Sequence, residues 1–210
     1  MSFAIMGLRR ATQDIHQRLH HHPAFAPLNQ IPPDLNGYAV LLQNLLGFHR
    51  PLEAALFAAA GRLAPDLDDL PARRKAHLIE ADLDDLNWPL PSGGEVEPPA
   101  TRSRPALLGH LYVTEGATLG GRDLGRRLEP SLRGLGLDGN AGRRFFLAYE
   151  PNQGAMWRRF CASLDAAAED FSTADHQVMQ NAARETFLML EDWLSAKPCE
   201  TVMPRASVMD

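Results

Sequence analysis

Two groups of residues in this 210-residue chain have the types and spacing for chemistry: one histidine and a set of glycines. His16 follows Leu8, Ala11 and Ile15 and precedes Leu19, apolar positions at helical spacing that form one buried stripe with His16 at its border. A neutral imidazole at such a border can ligate a metal through one ring nitrogen while a hydrogen bond holds the other. A packed, satisfied ring is the plainer alternative. Arg9 lies two turns earlier on the same face, roughly 10 Å along the axis. It can reach an anionic ligand edge or stand as a solvated cation.

The glycines are Gly109, Gly116, Gly120, Gly121 and Gly125, within a segment of helical apolar spacing from about Arg104 to Leu128. Each interior glycine disfavours a helix by roughly 0.5–1 kcal/mol relative to alanine. At about 100° per residue, Gly109, Gly116 and Gly120 fall within some 40° of one another. Bare backbone on one face admits either a closely packed helix or a flat ligand laid across it. The segment Leu111–Leu128 contains no His, Met or Cys, so this face offers no second metal ligand.

Leu8-Arg9-Arg10-Ala11-Thr12-Gln13-Asp14-Ile15-His16 and Tyr112-Val113-Thr114-Glu115-Gly116-Ala117-Thr118-Leu119-Gly120-Gly121-Arg122 together resemble the heme oxygenase family, in its bacterial, bacteriophytochrome-associated branch. Pro51-Leu52-Glu53, Phe145-Phe146, Trp157-Arg158-Arg159-Phe160 and Ala183 with Phe187 continue the resemblance in order, from about Leu8 to Leu194. It implies an all-α, single-domain bundle of about seven main helices, with heme b between the first helix and a kinked, glycine-rich distal helix. His16 is then the proximal iron ligand, and Gly116 and Gly120 are the catalytic positions. Arg9, Ala117, Gly121, Phe146 and Arg158 contact the heme, the two arginines through its propionates. The implied reaction cleaves heme, both cofactor and substrate, to biliverdin, carbon monoxide and ferrous iron. It uses O2 and electrons from an external reductase or ferredoxin. A bilin-accepting phytochrome is an implied partner. Mammalian members carry Asp where this chain has Ala117, leaving backbone carbonyls or Thr118 to order distal water; Glu115 is expected to be structural or surface-facing.

These residues need helices to position them, and the sequence supplies little else. Helices are expected over about Ser2–His21, from an Asp34 N-cap to about Ala60 with a kink at Pro51, and from Pro71 to near Leu86. Further helices are expected over Arg104–Leu128, Asn140–Tyr149, about Asn152–Glu169 and Thr173–Leu194. Pro89–Thr101 reads as a loop, residues 1–195 as the domain and 196–210 as a mobile tail. Hydrophobic residues make up 45% of the chain, enough for one well-buried domain. No apolar run suits a membrane span and the N-terminus lacks a signal pattern, which points to the cytoplasm. Cys161 and Cys199 lack metal spacing and are expected to be reduced.

The net charge is −5, which with the lack of a reader motif disfavours nucleic acid. Arg102–Arg159 nevertheless holds 10 Arg against 5 acidic residues, a segment suited to a redox donor protein. Two rival functions share some of these residues. A non-enzymatic heme carrier would use the same ligand. A di-iron bundle oxidase would need two Glu-x-x-His motifs, against which the chain offers only a reversed His77-x-x-Glu80.

Overall fold

The computed structural model describes residues 3–197, where all regular structure is helical. Among these residues are six α-helices: α1 (Phe3–His20), α2 (Leu35–Leu63), α3 (Ala76–Asp85), α4 (Arg104–Gly134), α5 (Gln153–Ala168) and α6 (Thr173–Ala196). Two 3-10 segments, Pro23–Asn29 and Leu70–Arg73, precede α2 and α3. Cys199 and nearly all of the expected tail lie outside the described residues; Ala196 belongs to α6.

The apolar stripe of α1 is buried as its spacing requires, with Ala4, Ile5, Leu8, Thr12, Ile15 and Leu19 inside. Thr12 has no water to bond and donates its hydroxyl to the Leu8 carbonyl at 2.9 Å. The outer edge of α1 is tied to α6 by a forked Arg18–Glu191 pair at 2.7 and 2.8 Å, and by Arg184 reaching Asp14 at 2.9 Å. Ser172 starts α6 with a reciprocal capping box to Asp175.

Asp34 caps α2 by accepting from the Asn36 amide at 3.0 Å, and the helix runs unbroken through Pro51. Pro71 does not open α3. It sits in the 3-10 segment, and α3 begins at Ala76, where the amides of Lys75 and Ala76 donate to Glu53 of α2 at 2.8 and 3.1 Å. A carboxylate at a helix N-terminus satisfies orphan donors there. Glu53 therefore fixes both the start of α3 and its seat on α2.

The expected Asn140–Tyr149 helix is instead a run of turns. Gly139 and Gly142 take positive φ, and carboxylates of α3 capture the amides that a helix would have paired. Asp82 accepts from the Arg144 and Phe145 amides at 2.8 and 2.9 Å, and Asp85 accepts from the Gly142 amide at 2.6 Å. The Tyr38 hydroxyl donates to the Gly142 carbonyl at 2.8 Å.

Helix α4 extends past the expected Leu128 to Gly134, because Leu128 and Leu132 are both buried in a core with α2, α3 and the 145–146 turn. At its other end α4 crosses α6 at close range. The bare face of Gly109 lies on the Met179 carbonyl and the Ala182 methyl. Next to it, the Thr186 hydroxyl is committed to the Ala182 carbonyl at 3.1 Å and so accepts from His110 Nδ1 at 2.8 Å. Burial holds the His110 ring down at about 4, against the Ala182 carbonyl, so this ring is neutral.

Candidate active site

His16 leaves α1 beside the buried stripe, with an exposed ring. Its flank packs edge-on against Phe187 of α6, centroids 6.0 Å apart, and against His20, 5.1 Å away. Desolvation from this packing lowers its pKa, and the charges of His20 and Arg9 add to the effect. The neutral imidazole, the form that can donate a lone pair to a metal, is thereby favoured.

The glycines of α4 divide into two sets. Gly109 serves the α6 crossing. A Cβ at Gly121 would stand 2.7 Å from the Phe146 carbonyl oxygen, and one at Gly125 would stand 2.8 Å from the Leu147 side chain. Those three positions are explained by close packing, Gly109 on α6 and the other two on the 146–147 turn. Gly116 differs: the nearest atoms to a Cβ there are Trp157 ring carbons at 3.7 Å, an ordinary contact. Around Gly120 nothing lies within 4 Å, and Gly120, Ala117 and Leu119 are exposed. Bare backbone thus faces open space at Gly120, and no packing contact among the described residues accounts for it.

The back of this segment is held by a buried ionic cluster. The Glu115 carboxylate, 2% exposed, receives Arg73 Nη1 and Lys75 Nζ at 2.5 Å each. The Tyr149 hydroxyl lies 3.1 and 3.2 Å from its two oxygens. Arg73 is also forked onto Asp69 at 2.6 and 2.8 Å. Burial works against the Arg73 charge, but Asp69 and Glu115 outweigh it and raise its pKa. Burial, then the Glu115 charge, raises that of Tyr149, which stays a donor. Thr118 is buried too: its hydroxyl donates to the Glu115 carbonyl at 2.8 Å, and its carbonyl accepts from Gln153 Nε2.

The structure sorts the sequence-derived residues accordingly. His16, Arg9, Gly116, Ala117, Gly120 and Arg158 are exposed or half-buried, and no ion pair engages Arg9 or Arg158 among the described residues. Gly121 lies on the buried face of α4, with Phe146 packed behind it. The Phe146 ring is enclosed, stacked on Tyr38 at 6.0 Å and edge-on to Phe145 at 5.3 Å, so its chain meets α4 through backbone at Gly121. Thr118, a candidate to replace the missing distal carboxylate, has its hydroxyl turned inward.

Sequence reasoning did not single out Arg73, Lys75, Tyr149 or Gln153. The one available signal was Lys75, one of only two lysines in the chain. Tyr112, read only as part of the motif, was given no role; it tilts against Trp157 at 5.7 Å, and burial raises its pKa against the lowering effect of the Arg9 charge. Glu80 of the reversed di-iron motif is held by Arg50 at 2.7 Å. Among the described residues no group of three His, Cys, Asp or Glu side chains could hold a metal ion. A separate cavity of about 610 Å³, lined by His22, Asn44, Glu191 and Lys197 among others, includes neither His16 nor any α4 residue.

Among the described residues, an all-helical fold carries an exposed histidine on one helix and an uncovered glycine on another, an arrangement in keeping with a heme oxygenase-like protein. The heme oxygenase family model matches residues 3–196, and the chain belongs to that family. It is 35% identical over 155 residues to a heme oxygenase of Xanthomonas campestris pv. campestris, covering 70% of this chain and 86% of that one. Over 136 residues it is 30% identical to heme oxygenase PigA of Pseudomonas aeruginosa, covering 65% of this chain and 64% of PigA. The fold is similar to that of the NO- and CO-bound heme oxygenase from Neisseria meningitidis, with a TM-score of 0.74 at 20% identity over 100% of this chain and 98% of that one. The residues present suit a flat macrocycle with an anionic edge: a lone-pair donor, bare backbone at Gly120 and guanidinium groups without an ion pair among the described residues. No helix among the described residues is long and apolar enough to cross a membrane.

Proposed function

We propose that this member of the heme oxygenase family cleaves heme to biliverdin, carbon monoxide and ferrous iron, using O2 and electrons from an external reductase or ferredoxin. The observation that carries the reading is the uncovered backbone at Gly120, on a helix whose other glycines, Gly116 apart, are all in tight packing contact within residues 104–128. When bound, heme supplies both the oxygen-binding iron and the carbon skeleton that is broken.

The chain's own residues hold and orient it. His16 would be the proximal ligand, its packing lowering its pKa and so favouring the neutral form. Arg9 and Arg158, without ion pairs among the described residues, would hold the propionates by forked contacts and so set the in-plane rotation of the ring. Gly116 and Gly120 let α4 lie close over the opposite face. Because Ala117 is apolar and the Thr118 hydroxyl is spent inside the helix, polar contact on that face falls to backbone atoms of the 116–120 segment, with ordered water.

The redox donor docks on the arginine-rich 102–159 segment in this reading. The enzyme works in the cytoplasm and a bilin-accepting phytochrome receives its product. Hemin added to pure protein should bind at about one per chain. With O2 and a reducing system its Soret band should disappear as a biliverdin isomer accumulates. A six-coordinate ferrous complex that keeps its porphyrin would overturn the enzyme reading in favour of a heme carrier.

A further inference from the structure

We infer that Glu115 is a positioning residue for the distal face, acting through the backbone of α4 from behind; this rests on the heme-cleaving reading above. Helix α4 faces a mechanical problem. A helix with five glycines in its middle is weak, and at Gly120 it receives no support from the side it must present. Its placement has to come from the opposite face.

That support is concentrated at one carboxylate. Glu115 directly precedes Gly116 and is clamped by Arg73 and Lys75 at 2.5 Å and by the Tyr149 hydroxyl at 3.1 Å. The clamp is built from three separated pieces of chain: α4, the 69–75 segment and the turn before α5. Lys75 is fixed in turn by the Arg73 carbonyl at 3.1 Å and lies over the Tyr149 ring, 5.2 Å from its centroid. Tyr149 itself is held at φ +70, a left-handed conformation uncommon for a bulky non-glycine residue. That conformation accompanies the placement of its hydroxyl beneath Glu115. A buried pair of this kind adds little net stability over apolar packing, yet it defines one geometry sharply. Gln153, gripping the Thr118 carbonyl, and the Phe146 backbone, seated on Gly121, extend the same support along the helix.

The test uses the full chain, first without and then with hemin. In the apoprotein, hydrogen exchange of the 113–122 amides should rise at least tenfold in Glu115→Gln and by a smaller factor in Tyr149→Phe, with α1 and α6 amides unchanged. With hemin, both variants should keep histidine ligation but shift the acid–alkaline transition of the ferric complex and broaden the biliverdin isomer ratio. Glu115→Asp should restore part of the wild-type ratio. Unchanged local exchange and isomer ratio in Tyr149→Phe would overturn the inference. So would exchange that rises evenly through all helices, which marks Glu115 as a global stabiliser only. Glu115→Gln leaves Lys75 without its counter-ion; if it fails to fold, Tyr149→Phe decides alone. A wild-type protein that never cleaves heme would sink the functional reading, while the exchange measurement still decides whether Glu115 places the 116–120 backbone.

Discussion

Gly109 and Gly120 share one stripe of α4, yet Gly109 lies against the Met179 carbonyl of α6 while Gly120 faces open space. Of the two explanations for a glycine-lined helix, close packing therefore accounts for Gly109, and among the described residues it does not account for Gly120. Alanine at Gly109 must displace the Met179 backbone, an overpacking cost of about 1–3 kcal/mol. The same change at Gly120 meets nothing and relieves up to about 1 kcal/mol of helix cost. Apoprotein melting temperatures should fall for Gly109→Ala and hold or rise for Gly120→Ala. Gly120→Leu should then lower the biliverdin yield while leaving the apoprotein melting temperature close to wild type. An equal loss of stability at both positions would contradict this division.

His16→Ala should abolish the histidine-ligated hemin spectrum. Because the ring is exposed and makes only edge contacts, apoprotein stability should stay within about 0.5 kcal/mol of wild type. An unchanged Soret band in the variant would remove His16 from the site.

Arg9 and Arg158 make no ion pair among the described residues, so replacing either with Gln should leave the melting temperature unchanged. Hemin affinity should fall by roughly tenfold, the equivalent of one charge-assisted contact of about 1.5 kcal/mol. If Arg9 and Arg158 hold the propionates as proposed, product analysis should show a changed isomer ratio. Wild-type affinity and ratio in both variants would place the propionates elsewhere.

Acid stability should be governed in part by two buried histidine rings. Burial brings His49 down to about 3 and His110 to about 4, from an ordinary 6.5. In the unfolded chain they take up protons below about pH 6.5, and in the folded protein they resist until far lower. Their contribution to stability is full above that value and is lost as pH falls toward 4. Asp82, pushed up to about 7 by burial against its amide donors, works the other way: its contribution is full in acid and is lost as pH rises to 7. Denaturant unfolding of the apoprotein at pH 5 and pH 7 checks both. Relative to His110→Gln the wild type should gain stability over this interval, and relative to Asp82→Asn it should lose some. Parallel profiles would refute the assignment.

How much of this was legible in sequence depended on how local the cause was. The α1 stripe, the Asp34 cap and the α4 core all follow from residues within a few turns, and they are where spacing placed them. The glycine pattern was visible, but not its division, since only the approach of Met179, Phe146 and Leu147 separates packed positions from open ones. The 140–149 segment has helical composition. Its amides are nevertheless taken by Asp82 and Asp85, some sixty residues away, and no periodicity encodes that. The Glu115 cluster was hidden for the same reason: Arg73, Lys75 and Tyr149 meet only in three dimensions.

Thr186 and Phe187 are consecutive residues of α6; one grips His110 of α4 and the other touches His16 of α1. Helices α1 and α4 are thus mounted on a single rod at neighbouring marks, like the jaws of a caliper set by one screw. A shift of α6 along its axis carries the His16 contact and the His110 contact together. A rotation moves them in different directions, because neighbouring residues point about 100° apart. Tolerance at Thr186 and Phe187 should therefore be linked: an enlarged side chain at one is best compensated at the other, although neither change touches the reacting carbon.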